Sequence, residues 1–142
     1  MSGTNDFNER IVAEFRANEG RVGGPFEGAV LVLLHHRGRK SGQEYVTPVV
    51  CLEDELDPNS VYVFASNGGA STSPSWYHNL VQAGRGTIER GTETYQVSVT
   101  EITGPERARI YAEQVRRAPG FGEYEAKTAG IRTIPVLQLR RA

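Results

Sequence analysis

Residues 31–50 read Leu31-Val-Leu-Leu-His-His-Arg-Gly-Arg-Lys-Ser-Gly-Gln-Glu-Tyr-Val-Thr-Pro-Val-Val50, which is an apolar run, a cationic turn and a second run rich in β-branched residues. Gly38 and Gly42 bracket the turn, and glycine tolerates the positive φ of a sharp reversal. Arg39, Lys40 and Ser41 lie between them. Cations beside exposed backbone N–H groups can bind an anion, so the stretch predicts two paired strands whose connection, the cradle loop 38–42, is an anion site. A solvated tip without function is the alternative.

The rest of the chain adds strands and helices around this pair. Pro48 cannot donate to a strand ladder, so it predicts an edge or a bulge in the second strand. Apolar residues at helical spacing between Phe7 and Phe15 predict an N-terminal helix over about 6–18, whose apolar face is expected to dock on the domain. Strands are predicted at about 29–36, 43–52, 61–66, 87–90, 93–102 and 134–139, with helices after Ser73-Pro74, over 103–117 and over 119–127. Short connections between most strands indicate an α+β fold, an antiparallel barrel of about six strands with peripheral helices.

Composition narrows the classes of function. A length of 142 residues predicts one domain, 1–142, and the net charge of -1 argues against a nucleic-acid partner. Cys51 is the only cysteine and is expected to be a small buried residue, and no spacing typical of a metal site occurs. A polar N-terminus and the absence of any apolar run near ~20 residues predict a cytoplasmic protein. Membrane contact through the first helix is an alternative that is not favoured.

A second candidate site follows the third strand. Ser66-Asn-Gly-Gly69 is a glycine-rich loop that leads to Ser73-Pro-Ser-Trp-Tyr-His-Asn79 at the start of a helix. Trp76, Tyr77 and Asn79 offer a flat apolar face with polar groups, as a planar heterocycle requires. In the alternative interpretation, Trp76 and Leu80 simply fill the core. Further along, Phe121 and Tyr124 share a helix face and belong either to the core or to the far wall of a pocket.

These residues together point to a protein that depends on a cofactor. An anion loop and an aromatic pocket on one small barrel suit a phosphorylated planar cofactor. No nucleophile motif is present. His35 and His36 are adjacent on a strand and therefore face opposite ways, so they cannot chelate one metal from the same face. The chemistry would then belong to the cofactor.

The order of the motifs resembles a known family. Phe15-Arg-Ala-Asn-Glu-Gly-Arg-Val-Gly-Gly24, Gly38-Arg-Lys-Ser-Gly-Gln43, Val46-Thr-Pro48, Ala65-Ser-Asn-Gly-Gly-Ala70, Pro74-Ser-Trp-Tyr-His-Asn-Leu80 and Ile134-Pro-Val136 occur in an order and at a spacing that resemble the deazaflavin-dependent nitroreductases of actinobacteria. The resemblance extends from about residue 7 to residue 139. It implies a split β-barrel, like that of the flavin-binding pyridoxamine-phosphate oxidases, and the reduced deazaflavin coenzyme F-420. It also implies hydride transfer to a small acceptor such as a quinone, an unsaturated lactone or a nitro compound.

The resemblance also implies roles for individual residues. The phosphate and acidic tail of F-420 would bind at the cradle loop, and the deazaflavin ring would lie along the second strand and beside the helix after Pro74. A proton would come from solvent, Tyr124 or Ser66. The cofactor-binding set is Arg39, Lys40, Ser41, Gly42, Thr47, Pro48, Val49, Asn67, Gly68, Gly69, Trp76, Tyr77 and Asn79.

Four places depart from the family pattern, and one of them is His35-His36-Arg37, which replaces a threonine-rich run and adds charge beside the cradle loop. Tyr45 stands where many members have arginine, Asn67 where the nitroimidazole-reducing type has lysine, and Phe121 where that type has tyrosine. The loss of the tyrosine hydroxyl at position 121 argues against nitroimidazole activation and against protonation of the substrate from that position. A reductase dependent on flavin mononucleotide and a deazaflavin carrier without catalysis are the alternatives, and the chain is compatible with a monomer or a homodimer.

Overall fold

The structure, a computed structural model, describes residues 6–26 and 28–142. Within these ranges the chain forms a closed barrel of six antiparallel strands with four α-helices around it, which confirms the predicted α+β barrel. The strands are β1 (Leu31–Arg37), β2 (Glu44–Glu53), β3 (Ser60–Phe64), β4 (Arg85–Arg90), β5 (Glu93–Ile102) and β6 (Val136–Arg141). The helices are α1 (Asp6–Ala17), α2 (Ser75–Ala83), α3 (Gly104–Arg117) and α4 (Gly120–Thr128), and short 3-10 turns occur at Gly24–Phe26 and Asn67–Gly69.

The two strands predicted in residues 31–50 are β1 and β2, which pair antiparallel on either side of the cradle loop. β1 pairs with β2 from Leu31↔Val50 to Arg37↔Glu44, and the order around the barrel is β1-β2-β3-β6-β5-β4, with β4 closing on β1. β2 pairs with β3 only over residues 51–53. Residues 44–50 therefore pair with β1 alone, and their other side is an open edge. Pro48, which has no N–H to donate, lies on this edge, so the predicted edge is confirmed.

The unbroken apolar run of β1 reflects burial on both faces of the strand. Val32 and Leu34 face the barrel interior, whereas Leu31 and Leu33 pack on the outside, as the two-residue period of a strand requires. Cys51 also lies in the interior, and burial raises the pKa of its thiol to about 12, as expected of a small buried residue.

Helices cover the outside of the barrel and close one of its ends. α1 packs Ile11 and Phe15 against β1 and β2, so its apolar face docks on the barrel. α3 and α4 pack against a second outer cluster that contains Phe64 of β3. α2 inserts Trp76 and Leu80 into the interior cluster, so this short helix closes the barrel end next to the cradle loop.

Several predicted boundaries are wrong by one or two residues for identifiable reasons. The last strand begins at Val136 rather than Ile134, because Pro135 has no N–H for the ladder. α2 begins at Ser75 with Pro74 as its N-cap, in agreement with the helix predicted after Ser73-Pro74. α3 begins at Gly104, one residue later than predicted, because Thr103 is its N-cap and has an extended backbone.

The docking of α1 can be tested with two phenylalanines on the same helix. Phe15 is 1% exposed and Phe7 is 48% exposed. We expect Phe15→Ala to lower the free energy of unfolding by about 3–4 kcal/mol, since it leaves a cavity between α1 and the barrel. Phe7→Ala should change it by less than about 1 kcal/mol. Urea unfolding measures both values, and equal losses for the two variants would contradict the docking.

Candidate functional site

The cradle loop is a tightly closed turn between β1 and β2. The Gly38 N–H donates to the Gln43 carbonyl at 2.8 Å, and the Gly42 N–H donates to the Gly38 carbonyl at 2.8 Å. Gly42 has a φ of +75°, which favours glycine. A Cβ on Gly38 would lie 2.6 Å from Ser41 Oγ, so a larger residue there would displace the hydroxyl that accepts from the Gln43 N–H.

Most backbone N–H groups of this loop have partners within the protein. The Arg39 N–H donates to Asn79 Oδ1 at 3.2 Å, and the Gln43 N–H donates to Ser41 Oγ at 3.1 Å. The N–H groups of Lys40 and Ser41 have no hydrogen-bond partner among residues 6–26 and 28–142. The expected row of exposed donors is therefore reduced to two adjacent ones, next to a serine hydroxyl whose proton is free to donate.

The charges around the loop are not neutralised by carboxylates. In the described ranges, Arg37, Arg39 and Lys40 form no ion pair; Arg37 donates to the Gly42 carbonyl and Arg39 to Asn79. Elsewhere on the barrel, Arg16 and Arg90 bind the carboxylates of Glu89 and Glu53. Three neighbouring cations without a counter-charge make this loop a local attractor for anions in a protein whose net charge is -1.

A cavity of about 610 Å³ opens beside the cradle loop. Six of its lining residues belong to the predicted cofactor-binding set: Arg39, Lys40, Ser41, Thr47, Trp76 and Asn79. The other lining residues lie outside the predicted set: Asn8, His36, Gly38, Tyr45, Pro74 and Ser75. Free backbone donors, unpaired cations and an indole face in one cavity fit a ligand that has an anionic group and a planar ring.

A second, larger cavity of about 840 Å³ lies at the C-terminal end of α1. Its charged lining residues are Glu14, Glu19 and Arg21, so carboxylates outnumber cations there. The chemistry of an anion site therefore favours the cavity beside the cradle loop over this larger one.

His36 is a residue of the cavity wall that the sequence analysis left without a role. It is 8% exposed, its Nε2 lies 2.9 Å from Thr47 Oγ1, and its Nδ1 lies 3.0 Å from Asn79 Nδ2. Burial, and after it the charge of His35, lowers the pKa of His36 to about 4. The signal that could have found it is strand alternation, since His36 shares the inward face with Val32 and Leu34.

The helix α2 brings three predicted residues to different places. Trp76 belongs to the interior cluster, as the core interpretation predicts, and it also lines the cavity. Its contact with a planar ring stays a prediction. Asn79 is buried and accepts from Arg39. Tyr77 instead donates its hydroxyl to Glu101 at 2.9 Å, and burial together with that bond raises its pKa to about 12. Tyr77 thus ties α2 to β5 and is not part of the cavity wall.

The predicted residues of β2 lie on alternate faces of the strand. Thr47 faces the cavity, and Val49 packs against the interior cluster below it. Pro48 pairs with Leu33 of β1 and, by the two-residue period, faces the opposite way. The side chain of Pro48 is therefore on the outer side, and only backbone of this residue is available at the open edge.

The loop after β3 forms a separate polar wall. Asn67, Gly68 and Gly69 have φ values of +49°, +64° and +86° in a 3-10 turn. Arg132 fastens this loop, because its guanidinium donates to the carbonyls of Ala65, Ser66 and Ala70 and to Ser73 Oγ at 3.0–3.2 Å. Ser66 and the three residues of the turn do not line the 610 Å³ cavity, but the loop continues directly into Pro74 and Ser75, which do.

The helix α4 packs against the 3-10 turn of that loop. Lys127 of α4 donates to the Gly68 carbonyl at 3.3 Å, and the rings of Phe121 and Tyr124 lie 5.3 Å apart against the second outer cluster. Tyr124 is half-buried, and its hydroxyl has no hydrogen-bond partner in the described part of the chain. Tyr124 and Ser66 thus belong to the neighbourhood of the loop and α4, and not to the wall of the 610 Å³ cavity.

Comparison with solved structures defines the class of protein. One structure described as the F420-H2 dependent reductase FDR-A aligns with a TM-score of 0.67 at 29% identity, covering 78% of this chain and 93% of that one. Another, described as a domain-swapped dimer, aligns with a TM-score of 0.70 at 25% identity, covering 97% of this chain and 99% of that one. The fold is thus the split barrel of F420-dependent reductases, as predicted.

Comparison with known sequences defines the family. Residues 8–140 match the family model of the F420H(2)-dependent quinone reductases, and the chain belongs to that family. A Mycobacterium tuberculosis relative that carries this name is 35% identical over 121 residues, covering 84% of this chain and 98% of the relative. A second relative of the same name and organism is 31% identical over 133 residues, covering 91% and 86%.

The family membership confirms the predicted class of enzyme and its cofactor. The protein is an oxidoreductase, an F420H2-dependent reductase, and its cofactor is reduced F420 rather than flavin mononucleotide. Within residues 6–26 and 28–142 there is no helix with the length and apolarity to cross a membrane, and no cluster of potential metal ligands. Which residues contact the cofactor stays a prediction.

The low pKa of His36 predicts a specific loss of stability in acid. A histidine whose pKa falls from 6.5 unfolded to about 4 folded contributes fully above pH 6.5, and this contribution is lost as the pH falls towards 4. We expect about 2–3 kcal/mol of unfolding free energy to disappear over that window, since protonation would bring charge beside His35 and break the bond from Asn79.

Urea unfolding from pH 7 to pH 4 measures this loss against two variants. His36→Gln should flatten the decline relative to the natural protein. His35→Gln, which changes the neighbouring ring on the outer face, should leave most of the decline in place. A decline of the same size in His36→Gln would contradict the assignment to His36.

Proposed function

We propose that this protein reduces a quinone with reduced F420 and that the cradle loop binds the phosphate and acidic tail of the cofactor. One observation carries the placement: the free N–H groups of Lys40 and Ser41 lie beside Arg39 and Lys40, which have no carboxylate partner in the described part of the chain. Charge-assisted hydrogen bonds from such donors are the strongest that a small exposed site can offer an anion.

The rest of the cavity wall supports a position for the cofactor ring. Trp76 offers an apolar face, and Tyr45 stacks on His36 with ring centres 5.6 Å apart, in the position where many family members have a cation. Thr47 provides a hydroxyl, and the open edge of β2 provides backbone groups of Pro48 and Val49. These residues orient a planar ring between the strand and α2, and they exclude water from one of its faces.

The acceptor side of the site is assigned to the loop after β3 and to α4. The family name supports a quinone as the acceptor. Bound F420 supplies the hydride, from C5 of its reduced ring. Ser66 and Tyr124 flank the loop that continues into the cavity wall, and the free hydroxyl of Tyr124 can donate a proton to a reduced oxygen. Asn67, Gly68 and Gly69 would contact the ring or the acceptor through their backbone.

A structural relative supports one of the two oligomeric states that the sequence leaves open. The description of that relative as a domain-swapped dimer supports the homodimer among the two states that the sequence leaves open. Light scattering of the purified protein distinguishes a dimer from a monomer of 15.6 kDa.

The cofactor placement is tested by binding of F420 to a variant of the cradle loop. We expect Lys40→Ala to weaken F420 binding by roughly ten- to a hundredfold, because a charge-assisted contact of about 1.5–3 kcal/mol is lost. The control is Arg109→Ala, which removes an exposed cation of α3 that does not line the cavity. Titration followed by cofactor fluorescence measures both affinities, with flavin mononucleotide as a parallel ligand.

The titration separates three outcomes. Tight binding of F420 that is weakened in Lys40→Ala but not in Arg109→Ala supports the placement. Equal affinity of the two variants would overturn the role of the cradle loop. Preference for flavin mononucleotide would overturn the use of F420 by this chain.

The proton donor is tested by turnover with a soluble quinone. We expect Tyr124→Phe to lower kcat at least about tenfold, since a positioned acid is lost, with the Kd of F420 unchanged. Ser66→Ala serves as the comparison for the other predicted donor. If kcat in both variants equals that of the natural protein, the proton comes from water.

A further inference from the structure

The side-chain amide of Asn79 has only one orientation that its neighbours allow. One of its terminal atoms lies 3.2 Å from the Arg39 backbone nitrogen and 3.2 Å from Arg39 Nη1. Both of these nitrogens are donors only, so that atom must be the oxygen, Oδ1. The atom that faces His36 Nδ1 at 3.0 Å is therefore the amide nitrogen, Nδ2.

This orientation determines the tautomer of His36. An amide NH2 group can only donate, so His36 Nδ1 must be the unprotonated acceptor. A neutral imidazole then has its proton on Nε2, which lies 2.9 Å from Thr47 Oγ1. Burial, with His35 adjacent, lowers the pKa of His36 to about 4, so the neutral form is present at ordinary pH.

The tautomer in turn determines what the Thr47 hydroxyl can do. Since His36 Nε2–H donates to Thr47 Oγ1, the hydroxyl keeps its own proton for another acceptor. Thr47 lines the cavity and has no other side-chain hydrogen bond in the described ranges. We propose that His36, oriented by Asn79, is a positioning residue that makes the Thr47 hydroxyl a hydrogen-bond donor to a carbonyl oxygen or ring nitrogen of the deazaflavin.

This chain of hydrogen bonds links the two halves of the site. Arg39 of the cradle loop is bound by Asn79, Asn79 by His36, and His36 by Thr47. The loop proposed for the anionic part of the cofactor and the hydroxyl proposed for its ring are thus held in one network. The inference rests on the proposed function, because it takes F420 to be the ligand of this cavity.

The tautomer can be measured without cofactor. The chain has three histidines, His35, His36 and His78, so nitrogen NMR of histidine-labelled protein resolves each ring, and His36→Gln identifies the signal of His36. We expect the proton of His36 on Nε2, with Nδ1 unprotonated. A proton on Nδ1 would overturn the proposal, since Thr47 would then donate to His36.

The action through Thr47 is measured by F420 affinity in a double-mutant cycle. Thr47→Val and His36→Phe should each weaken binding about three- to tenfold, and the double variant should bind no more weakly than Thr47→Val alone. His36→Gln keeps an N–H donor near Thr47 and should stay within about twofold of the natural protein. The control His35→Phe changes the adjacent outward ring and should have no effect.

The outcomes separate this inference from the proposed function. If the natural protein does not bind F420, the proposed function fails. If it binds F420 but Thr47→Val binds equally well, or if the losses in His36→Phe and Thr47→Val add, the positioning role of His36 is overturned. Because His36→Gln and the tautomer measurement do not require His36→Phe to fold, each outcome remains decisive.

Discussion

The site depends on the buried side-chain amide of Asn79, whose oxygen and nitrogen both form hydrogen bonds within the protein. Asn79 is 5% exposed, accepts from the backbone and guanidinium of Arg39, and donates to His36. A buried polar group without partners would be costly, so this set of bonds fixes the cradle loop against α2. Asn79 also binds the Arg39 N–H of the loop, whereas the N–H groups of Lys40 and Ser41 have no hydrogen-bond partner in the described ranges.

The distribution of charge agrees with this arrangement. Many arginines elsewhere in the protein bind carboxylates, as Arg16 does with Glu89 and Arg140 with Asp57. At the cradle loop, Arg37 instead binds a carbonyl oxygen and Arg39 an amide oxygen. Surface ion pairs contribute little to stability, but they remove local potential. Because arginines elsewhere are paired with carboxylates and the cations beside the cradle loop are not, the cavity is positive although the net charge of the chain is -1.

Local pattern was enough to predict the strand pair, the open edge at Pro48 and the cradle loop, because each follows from residues near in sequence. The partners of those residues could not be predicted. Strand alternation gives the inward face of His36, but its bond to Asn79 joins positions 43 apart, and Arg132 reaches the loop after β3 across 59–67 positions. The separate location of Tyr124 likewise depends on how α4 packs, which periodicity does not specify.

A crystal structure of the protein with F420 tests the central claim most directly. The account predicts the cofactor phosphate within hydrogen-bond distance of the Lys40 and Ser41 N–H groups, with the ring between Thr47 and Trp76. A phosphate bound instead in the cavity that Glu14 and Glu19 line, with the cradle loop in contact with solvent alone, would contradict it.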